Sequence, residues 1–287
     1  MTLDTRIGPN TARFAVLGET LGHTWSPYIH NSLFAAAGRD AVYLPVTIPR
    51  DRLPSAVDVL RSCFGGFNVT IPYKERIIPL LDEIDDAARA CGAVNTVVCR
   101  DGRLIGYITD GLGLLRALEE GGVSTRQADA LILGGGGAAR AAAVAFLARG
   151  GRITFAVRDT QKGESLAREL ANTQPDGASR LVVRSLSGEL GTHDVLINCT
   201  PVGMLPQEDG CPVSEEAIAR CGAVFDAVYN PRKTRLLALA QRLGIPAVEG
   251  LGMLYYQAVE AQKLWFGDIG ASQTAQRTIY TQLLAQM

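Results

Sequence analysis

Two residues of this chain have side chains that could transfer protons to and from a bound ligand. Lys74 follows Asn68-Val-Thr-Ile-Pro-Tyr, and Asp110 follows Tyr107-Ile-Thr. A lysine that is partly desolvated beside a carboxylate can give or take a proton, or polarise a carbonyl group. Other polar side chains lie near predicted turns in the same part of the chain, where open α/β sheets hold their binding groups: Thr24, Ser26, Asn68, Thr70 and Asn95. Together they suit a ligand with many hydroxyl groups, although each alone also fits a surface or capping role.

A glycine-rich turn predicts a dinucleotide site further along the chain. The sequence Gly134-Gly-Gly-Gly137-Ala-Ala-Arg follows an apolar strand and begins a helix, and Gly134, Gly136 and Ala139 match G-x-G-x-x-A. Glycine lets the backbone approach a pyrophosphate, and the first N–H groups of the helix then bind that anion. The predicted contacts are Gly134, Gly135, Gly136, Gly137 and Ala138. A P-loop is excluded because no Gly-Lys-Ser/Thr follows, whereas a tight turn without a ligand stays the simpler alternative.

The residues after the next strand predict opposite cofactor preferences. Asp159 favours a free ribose 2′-hydroxyl, and therefore NAD. Arg158 and Lys162 favour a 2′-phosphate, and therefore NADP. The choice between NADP and NAD stays open at this point.

The elements that must hold these residues alternate between strand and helix, which predicts an α/β protein with a doubly wound parallel sheet. In the first part, Asp101-Gly102 predicts a hairpin turn. In the second part, predicted strands and helices alternate over 129–134, 138–149, 153–157, 164–171, 194–198, 224–226, 236–243 and 245–248. The last stretch, 253–287, is predicted to be helical throughout.

Composition excludes several other classes of function. The chain has 287 residues, 28 basic against 29 acidic and a net charge of −1, without a basic run. We therefore expect no nucleic-acid partner and no membrane association. Six cysteines without CxxC spacing and three histidines predict reduced thiols, no metal site and a cytoplasmic location. The expected partner is a small molecule, bound by a monomer or homodimer.

Over nearly its whole length, the chain resembles the shikimate dehydrogenase family. The motif Asn68-Val-Thr-Ile-Pro-Tyr-Lys74-Glu75 is similar to the family's N-V-T-x-P-x-K-E, the most specific of the set. The other matching segments follow in the family's order: His23 to Asn31, Gly92 to Thr96, Thr109 to Gly111, Asn198 to Met204, Asp226 to Thr234 and Gly250 to Gln257.

The resemblance implies a role for each matching residue. Lys74 and Asp110 correspond to the family's catalytic pair, and Thr24 and Ser26 to hydroxyls that bind the substrate carboxylate. The implied ligands of the ring are Asn68, Thr70, Asn95 and Gln257, with Tyr229 counted among the substrate-binding residues near the nicotinamide. The implied further cofactor contacts are Thr200, Gly203, Gly250 and Met253. The substrate domain is expected at 1–112 and 250–287, and the Rossmann-like dinucleotide domain at 113–249.

The implied activity is the reversible NAD(P)H-linked reduction of 3-dehydroshikimate to shikimate, in aromatic amino acid biosynthesis. Departures from the family pattern keep alternatives open. Thr24 replaces a usual serine, Ile108 replaces an asparagine beside Asp110, and Asp159 replaces a threonine of the NADP-type N-R-T. Quinate or amino-shikimate oxidation with NAD is one alternative. A non-catalytic dinucleotide sensor is another, but it would need neither Lys74 nor Asp110.

Overall fold

The computed structural model describes residues 7–22, 24–173 and 176–287. The chain forms two compact units, one of Met1–Thr109 with Gln257–Met287 and one of Asp110–Tyr256. The first unit is therefore discontinuous in sequence, because the whole second unit is inserted into it. The sequence placed the corresponding divisions at 112 and 250.

The first unit contains a mixed six-stranded sheet. Its strands and its first helices are β1 Ala12–Gly18, α1 Ser26–Ala36, β2 Ala41–Thr47, α2 Leu53–Cys63, β3 Gly66–Val69, β4 Glu83–Ile84, α3 Asp86–Cys91, β5 Thr96–Arg100 and β6 Arg103–Tyr107. The strand order is β2-β1-β3-β5-β6-β4, with β2, β1 and β3 parallel and β5 antiparallel to both of its neighbours. The predicted hairpin is present between β5 and β6. Asp101 and Gly102 both have positive φ, 52° and 73°, as a tight two-residue hairpin turn requires.

The second unit contains a parallel six-stranded sheet in the Rossmann order. Its elements are α4 Asp110–Glu120, β7 Asp129–Leu133, α5 Gly137–Ala148, β8 Arg152–Val157, α6 Thr160–Ala171, β9 Leu181–Ser185, β10 Val195–Asn198, α7 Glu215–Ala219, β11 Val224–Asp226, α8 Arg235–Arg242 and β12 Ala247–Glu249. The strand order is β12-β11-β10-β7-β8-β9, with every pairing parallel. The chain proceeds outward from β7 to β9 and then returns to add β10 on the other side. The carboxyl ends of β7 and β10 therefore form a topological switch point, where such sheets bind their ligands.

The structure corrects the predicted continuous helix at the end of the chain. Two helices, α9 Leu251–Phe266 and α10 Gln273–Gln286, are separated by a turn. Gly267 and Gly270 have φ of +83° and +67°, and the Ser272 side chain accepts a hydrogen bond from Ala275 N at the start of α10. Glycines in the left-handed region end one helix and a serine cap begins the next.

Candidate functional site

The start of α1 carries two of the hydroxyls predicted to bind a carboxylate. Ser26 is the first residue of the helix and is buried, with Pro27 after it in the first turn. The Thr24 hydroxyl accepts a hydrogen bond of 3.3 Å from Ser26 N. The Thr24 hydroxyl is thus held beside the first residue of α1, at a helix N-terminus, where N–H groups and the helix dipole favour an anion. His23, which begins the matching motif, lies outside the described residues.

The loop after β3 carries Thr70 and Lys74. Thr70 N donates to Leu17 O at 2.9 Å, and Tyr73 N donates to Thr70 O at 2.9 Å, across a cis peptide bond at Ile71-Pro72. The Lys74 carbonyl accepts from Val94 N at 2.8 Å. Both side chains are half-buried. The backbone of this loop is therefore fixed at both ends, which gives the lysine a defined position.

The predicted amide ligands of the first unit lie in one buried hydrogen-bond network. Asn95 Nδ2 donates to Thr109 Oγ1 at 3.0 Å and lies 3.4 Å from Gln257 Oε1. Asn95 Oδ1 accepts from Thr109 N at 2.8 Å and from Thr96 Oγ1 at 3.0 Å. Asn68 Nδ2 donates to Thr96 Oγ1 at 2.9 Å. Residues far apart in sequence are therefore joined within the described part of the first unit, and Thr96 and Thr109 are members that the sequence did not single out for binding.

Asp110 and Tyr229 belong to the second unit. Asp110 is the first residue of α4 and is buried. The next residue, Gly111, packs so closely on α5 that a Cβ there would lie 2.4 Å from Ala141 O. Tyr229 follows β11 and is half-buried, just before a cis peptide bond at Asn230-Pro231. The helix start and the close α4–α5 contact together fix the Asp110 backbone.

The glycine-rich turn connects β7 to α5, as the sequence predicts. Gly134 has φ of +101°, a conformation that a residue with a Cβ adopts only under strain. Gly136 is the N-cap of α5, and no side chain of the described residues caps this helix. Gly137 and Ala138 are its first residues. The N–H groups of the first turn are therefore available to an anion such as a pyrophosphate.

A cavity of about 740 Å³ lies at the carboxyl ends of β7, β8 and β10 in the second unit. This volume is within the range of small-molecule and cofactor sites. Predicted cofactor residues that line it are Gly134, Gly135, Gly136, Arg158, Asp159, Lys162 and Thr200. An apolar part of the wall, which the sequence did not predict, comprises Leu186, Val202, Met204, Leu205 and Pro206. Such a cavity can hold an adenine on its apolar wall with phosphates at the helix start.

Three charged side chains lie at the end of the cavity beside β8. The Asp159 carboxylate caps α6, because its Oδ1 accepts from Lys162 N at 3.1 Å. That backbone hydrogen bond, together with the Lys162 ammonium 3.5 Å from Oδ2, lowers the pKa of Asp159. Asp159 is therefore an anion at neutral pH that contacts the backbone and the lysine of its own helix. Arg158 and Lys162 are exposed.

A buried carboxylate supports the loop that carries Thr200. Asp226, at the end of β11, accepts hydrogen bonds from Thr234 Oγ1 at 2.6 Å, Val228 N at 3.0 Å and Asn198 Nδ2 at 2.9 Å. Asn198 Oδ1 in turn accepts from Thr200 N and Oγ1, at 3.0 and 2.7 Å. Burial raises the pKa of Asp226, and the three donors oppose that rise. The matching motifs contain these residues, but their spacing does not reveal that Asp226 anchors the loop after β10.

Five predicted cofactor residues are not among those that line this cavity in the described chain: Gly137, Ala138, Gly203, Gly250 and Met253. Gly203 is buried with φ of +92°, and Met253 is half-buried in α9. Gly250 lies between β12 and α9, where a Cβ would be 2.4 Å from Asp226 O. Gly203 and Gly250 therefore have clear backbone reasons to be glycine, and their cofactor contacts stay predictions.

Fold and cavity together define the class of the protein. It is an α/β protein whose second unit is of the Rossmann type, with a cavity at its switch point, and whose first unit contains a buried network of polar side chains. No helix in the described ranges has both the length and the apolar character needed to span a membrane.

Comparison with known proteins identifies the family. Residues 16–97 match the shikimate dehydrogenase substrate binding domain. A shikimate dehydrogenase (NADP(+)) of Rubrobacter xylanophilus is 43% identical over 279 residues, which cover 94% of this chain and 97% of that protein. The chain belongs to the shikimate dehydrogenase family.

Solved structures of similar proteins agree with the fold. Shikimate 5-dehydrogenase from Listeria monocytogenes, in complex with shikimate and NAD, has a TM-score of 0.88 at 32% identity and covers 97% of this chain and 98% of its own. A 5-ketofructose reductase of Gluconobacter has a TM-score of 0.86 at 30% identity, covering 96% and 100%. The same fold therefore occurs in proteins named for different substrates, so the substrate must be argued from the site.

Proposed function

We propose that this protein is a shikimate dehydrogenase that reversibly reduces 3-dehydroshikimate to shikimate with a nicotinamide dinucleotide. The observation that carries the proposal is the presence of Lys74 and Asp110, within matching motifs, in a chain that is 43% identical to a shikimate dehydrogenase over 279 residues. A protein that only sensed dinucleotides would need neither residue. In the reduction, a hydride adds to the carbonyl carbon and a proton adds to the carbonyl oxygen.

The first unit is proposed to bind the substrate. Its hydroxyls at the start of α1, from Thr24 and Ser26, bind the carboxylate. The half-buried Thr70 and the amides of Asn95 and Gln257 bind ring hydroxyls, for which they offer both donors and acceptors.

Lys74 and Asp110 are proposed to carry the proton chemistry. The lysine donates a proton to the developing alkoxide in reduction and accepts it in oxidation, and the aspartate orients the reacting oxygen and supports that transfer.

The second unit is proposed to hold the dinucleotide in its cavity. The bound nicotinamide supplies or accepts the hydride. Gly134 allows the turn, the uncapped start of α5 binds the pyrophosphate, and the apolar wall after β10 covers the adenosine half. The volume of about 740 Å³ and the polar groups at one end of the cavity fit such a ligand.

NADP is proposed as the preferred cofactor, with NAD accepted at lower efficiency. The curated relatives are named for NADP(+). In this chain the Asp159 charge is tied to the α6 backbone and to Lys162, so its repulsion of a 2′-phosphate is reduced. Arg158, exposed beside it in the cavity wall, offers a planar guanidinium for that phosphate.

Steady-state turnover tests the proposed activity. The purified protein is assayed with shikimate, quinate or amino-shikimate and either NADP⁺ or NAD⁺, following the reduced nicotinamide. We expect the highest kcat/KM for shikimate with NADP⁺. Turnover confined to quinate or amino-shikimate with NAD⁺ would instead identify one of these alternatives. Dinucleotide binding by calorimetry without turnover of any of these substrates would contradict an enzymatic role.

A further inference from the structure

A buried tyrosine begins the hydrogen-bond network that contains the amides of Asn95 and Gln257. Tyr43, on β2, is 1% exposed, and its hydroxyl donates to Asn68 Oδ1 at 2.7 Å. His30 stacks on the phenol ring with centroids 4.1 Å apart and planes 11° apart. Burial lowers the pKa of His30 to about 3 and raises that of Tyr43 well above its ordinary value. Both rings are therefore neutral, and the tyrosine hydroxyl keeps its proton and acts as a donor.

The tyrosine fixes the orientation of Asn68. Because Tyr43 donates to Oδ1, the Asn68 amide must direct Nδ2 the other way, towards Asn95 O at 3.1 Å and Thr96 Oγ1 at 2.9 Å. Both hydrogens of Nδ2 are thereby used. A rotation of the amide by 180° would bring Oδ1 against Asn95 O, which are both acceptors, and would take from the Tyr43 proton the acceptor that it has in Oδ1.

The direction of donation continues from Asn68 to the predicted substrate ligands. Thr96 Oγ1 receives a hydrogen bond from Asn68 and directs its own proton to Asn95 Oδ1 at 3.0 Å. Thr109 N also donates to that oxygen, at 2.8 Å. Asn95 Oδ1 is thus held towards Thr96 and the Thr109 backbone. Its Nδ2 points towards Thr109 Oγ1 and Gln257 Oε1, and the Gln257 acceptor is turned to it.

We propose that Tyr43 is a positioning residue that sets, through Asn68 and Thr96, which atoms of Asn95 and Gln257 face a hydroxylated substrate. The proposal rests on the proposed function for the identity of that substrate. Tyr43 is itself too buried to contact a ligand. Asn68 acts as the second member of this relay, because its side chain is the one that connects Tyr43 to Thr96. The network fixes the orientation of the Asn95 and Gln257 amides before the substrate binds. Less conformational entropy is therefore lost on binding.

The first test is Tyr43→Phe, which keeps the ring stack and removes only the hydroxyl. We expect the KM for shikimate to rise about tenfold, the effect of misaligning roughly one hydrogen bond. We expect the KM for the dinucleotide to stay within about twofold of the parent. The matched control is Thr11→Val, which removes another buried hydroxyl of the first unit, one that donates to Asp40 Oδ1 at 2.7 Å outside the network. It should leave both KM values unchanged.

A double-mutant cycle separates a relay from two independent defects. Thr96→Val removes the second hydroxyl of the relay, and thermal unfolding shows which variants stay folded. If the relay exists, Tyr43→Phe combined with Thr96→Val raises the KM for shikimate little more than the more damaging single change does. Multiplicative effects, or equal losses for shikimate and dinucleotide with a lowered Tm, would overturn the proposal in favour of a general packing role.

A substrate-independent readout keeps the relay testable if the proposed function fails. Side-chain amide resonances of Asn95 and Gln257 are compared by ¹⁵N–¹H NMR between parent, Tyr43→Phe and Thr11→Val. We expect them to move in the tyrosine variant alone. Unmoved resonances would reject the relay whatever the substrate is. A parent enzyme that does not turn over shikimate would reject the proposed function, and the NMR comparison would then still decide the inference.

Discussion

Lys74 lies in a loop whose backbone is hydrogen-bonded at both ends, and Asp110 begins α4, so each predicted proton-transfer group is held by its local structure. Neither side chain belongs to an apolar cluster of the described residues. Their removal should therefore affect chemistry more than folding.

We predict that Lys74→Ala and Asp110→Ala each lower kcat with shikimate by about 10²–10⁴-fold, the usual contribution of general acid–base catalysis. The free energy of unfolding should change little. Asp58→Ala, which removes an exposed carboxylate on α2, serves as the control and should have parental kcat. Either active-site variant with parental kcat at saturating substrate would contradict its assigned role. The measurements are steady-state kinetics and chemical denaturation.

Cofactor preference should depend on single charges beside β8. Arg158→Ala should lower kcat/KM for NADP about 10- to 100-fold, because a charge-assisted hydrogen bond to the 2′-phosphate is lost, and should affect NAD much less. Asp159→Thr should move the ratio further towards NADP, since it removes a negative charge while a threonine can still cap α6. The ratio of kcat/KM for the two dinucleotides is the quantity to compare. A ratio that neither variant changes would show that both side chains point away from the ribose.

The sequence was sufficient to predict many of the candidate site residues, but not which side chains contact one another. The motif around Lys74 and the glycine-rich turn are local in sequence, so their spacing carries information. Tyr43, Asn68 and Thr96 come from β2, β3 and β5, and only strand order and register bring them together. The sequence therefore predicted Asn68 as a substrate ligand and assigned no role to Tyr43.

At the scale of the elements, the turn from β7 to α5 contains two glycines that are needed for different reasons. One is needed for its backbone conformation and the other for the space beside it. Gly134 has φ of +101°, and a Cβ there would lie 3.2 Å from Thr200 Cγ2. Gly136 has an ordinary φ of −83° with no neighbour within 4 Å of a Cβ. Gly134 is therefore required by the backbone conformation of the turn, whereas Gly136 leaves open space at the start of α5.

We predict different phenotypes for alanine at these two positions. Gly134→Ala should destabilise the protein by about 1–3 kcal/mol, the cost of a strained backbone. Gly136→Ala should change the free energy of unfolding by less than about 1 kcal/mol. It should nevertheless raise the KM for the dinucleotide about tenfold, because the methyl group occupies the space proposed for the pyrophosphate. Denaturation and kinetics on the same preparations distinguish the two effects. Parental affinity in Gly136→Ala would argue against a pyrophosphate at this turn.

Most of the longer helices and strands could be predicted from their sequence patterns. The short elements β4, α3 and α7, the strand β9 and the break between α9 and α10 were not predicted. Strand β9 was missed because it is an edge strand that is largely exposed, so it lacks a buried apolar run. The break between α9 and α10 was missed because the apolar pattern continues on both sides of it. Two glycines with positive φ and the Ser272 cap decide the break locally.

For the molecule as a whole, stability should fall in mild acid through His30. This ring is fully buried, and its pKa is lowered from 6.5 to about 3. Below pH 6.5 the unfolded chain gains a proton that the folded chain does not bind. Stability is thus complete above pH 6.5 and is lost as the pH falls towards 3. The loss is at most about 1.4 kcal/mol per pH unit from this residue.

His30→Gln should remove that part of the pH dependence, because glutamine does not titrate. The free energy of unfolding is measured by denaturant titration at pH 7.5, 6.5, 5.5 and 5.0 (roughly the range that isolates histidine, by its ordinary pKa). The raised pKa values of Asp85 and Asp226 act in the opposite direction at lower pH, so variant and parent are compared at each pH. Identical slopes in the two proteins would show that His30 is not the group responsible.

The insertion of the second unit into the first has a consequence for biosynthesis. The core of the first unit requires Trp265, whose ring lies 4.7 Å from that of Phe14 and whose Nε1 donates to Val97 O at 3.0 Å. On the ribosome, β1 to β6 are therefore made first but cannot complete their core until residues 257–287 have emerged. The second unit has by then been fully synthesised.

At ordinary rates of synthesis, the early strands wait for roughly ten seconds or more, with apolar surface open to chaperones. We predict that nascent chains arrested with residue 256 outside the exit tunnel give a protease-resistant fragment of 110–256 and a sensitive 1–109. Equal resistance of both would show that the first unit folds without its closing helices. The first unit is thus expected to complete its fold after the second, because its segment 257–287 is translated after residue 256.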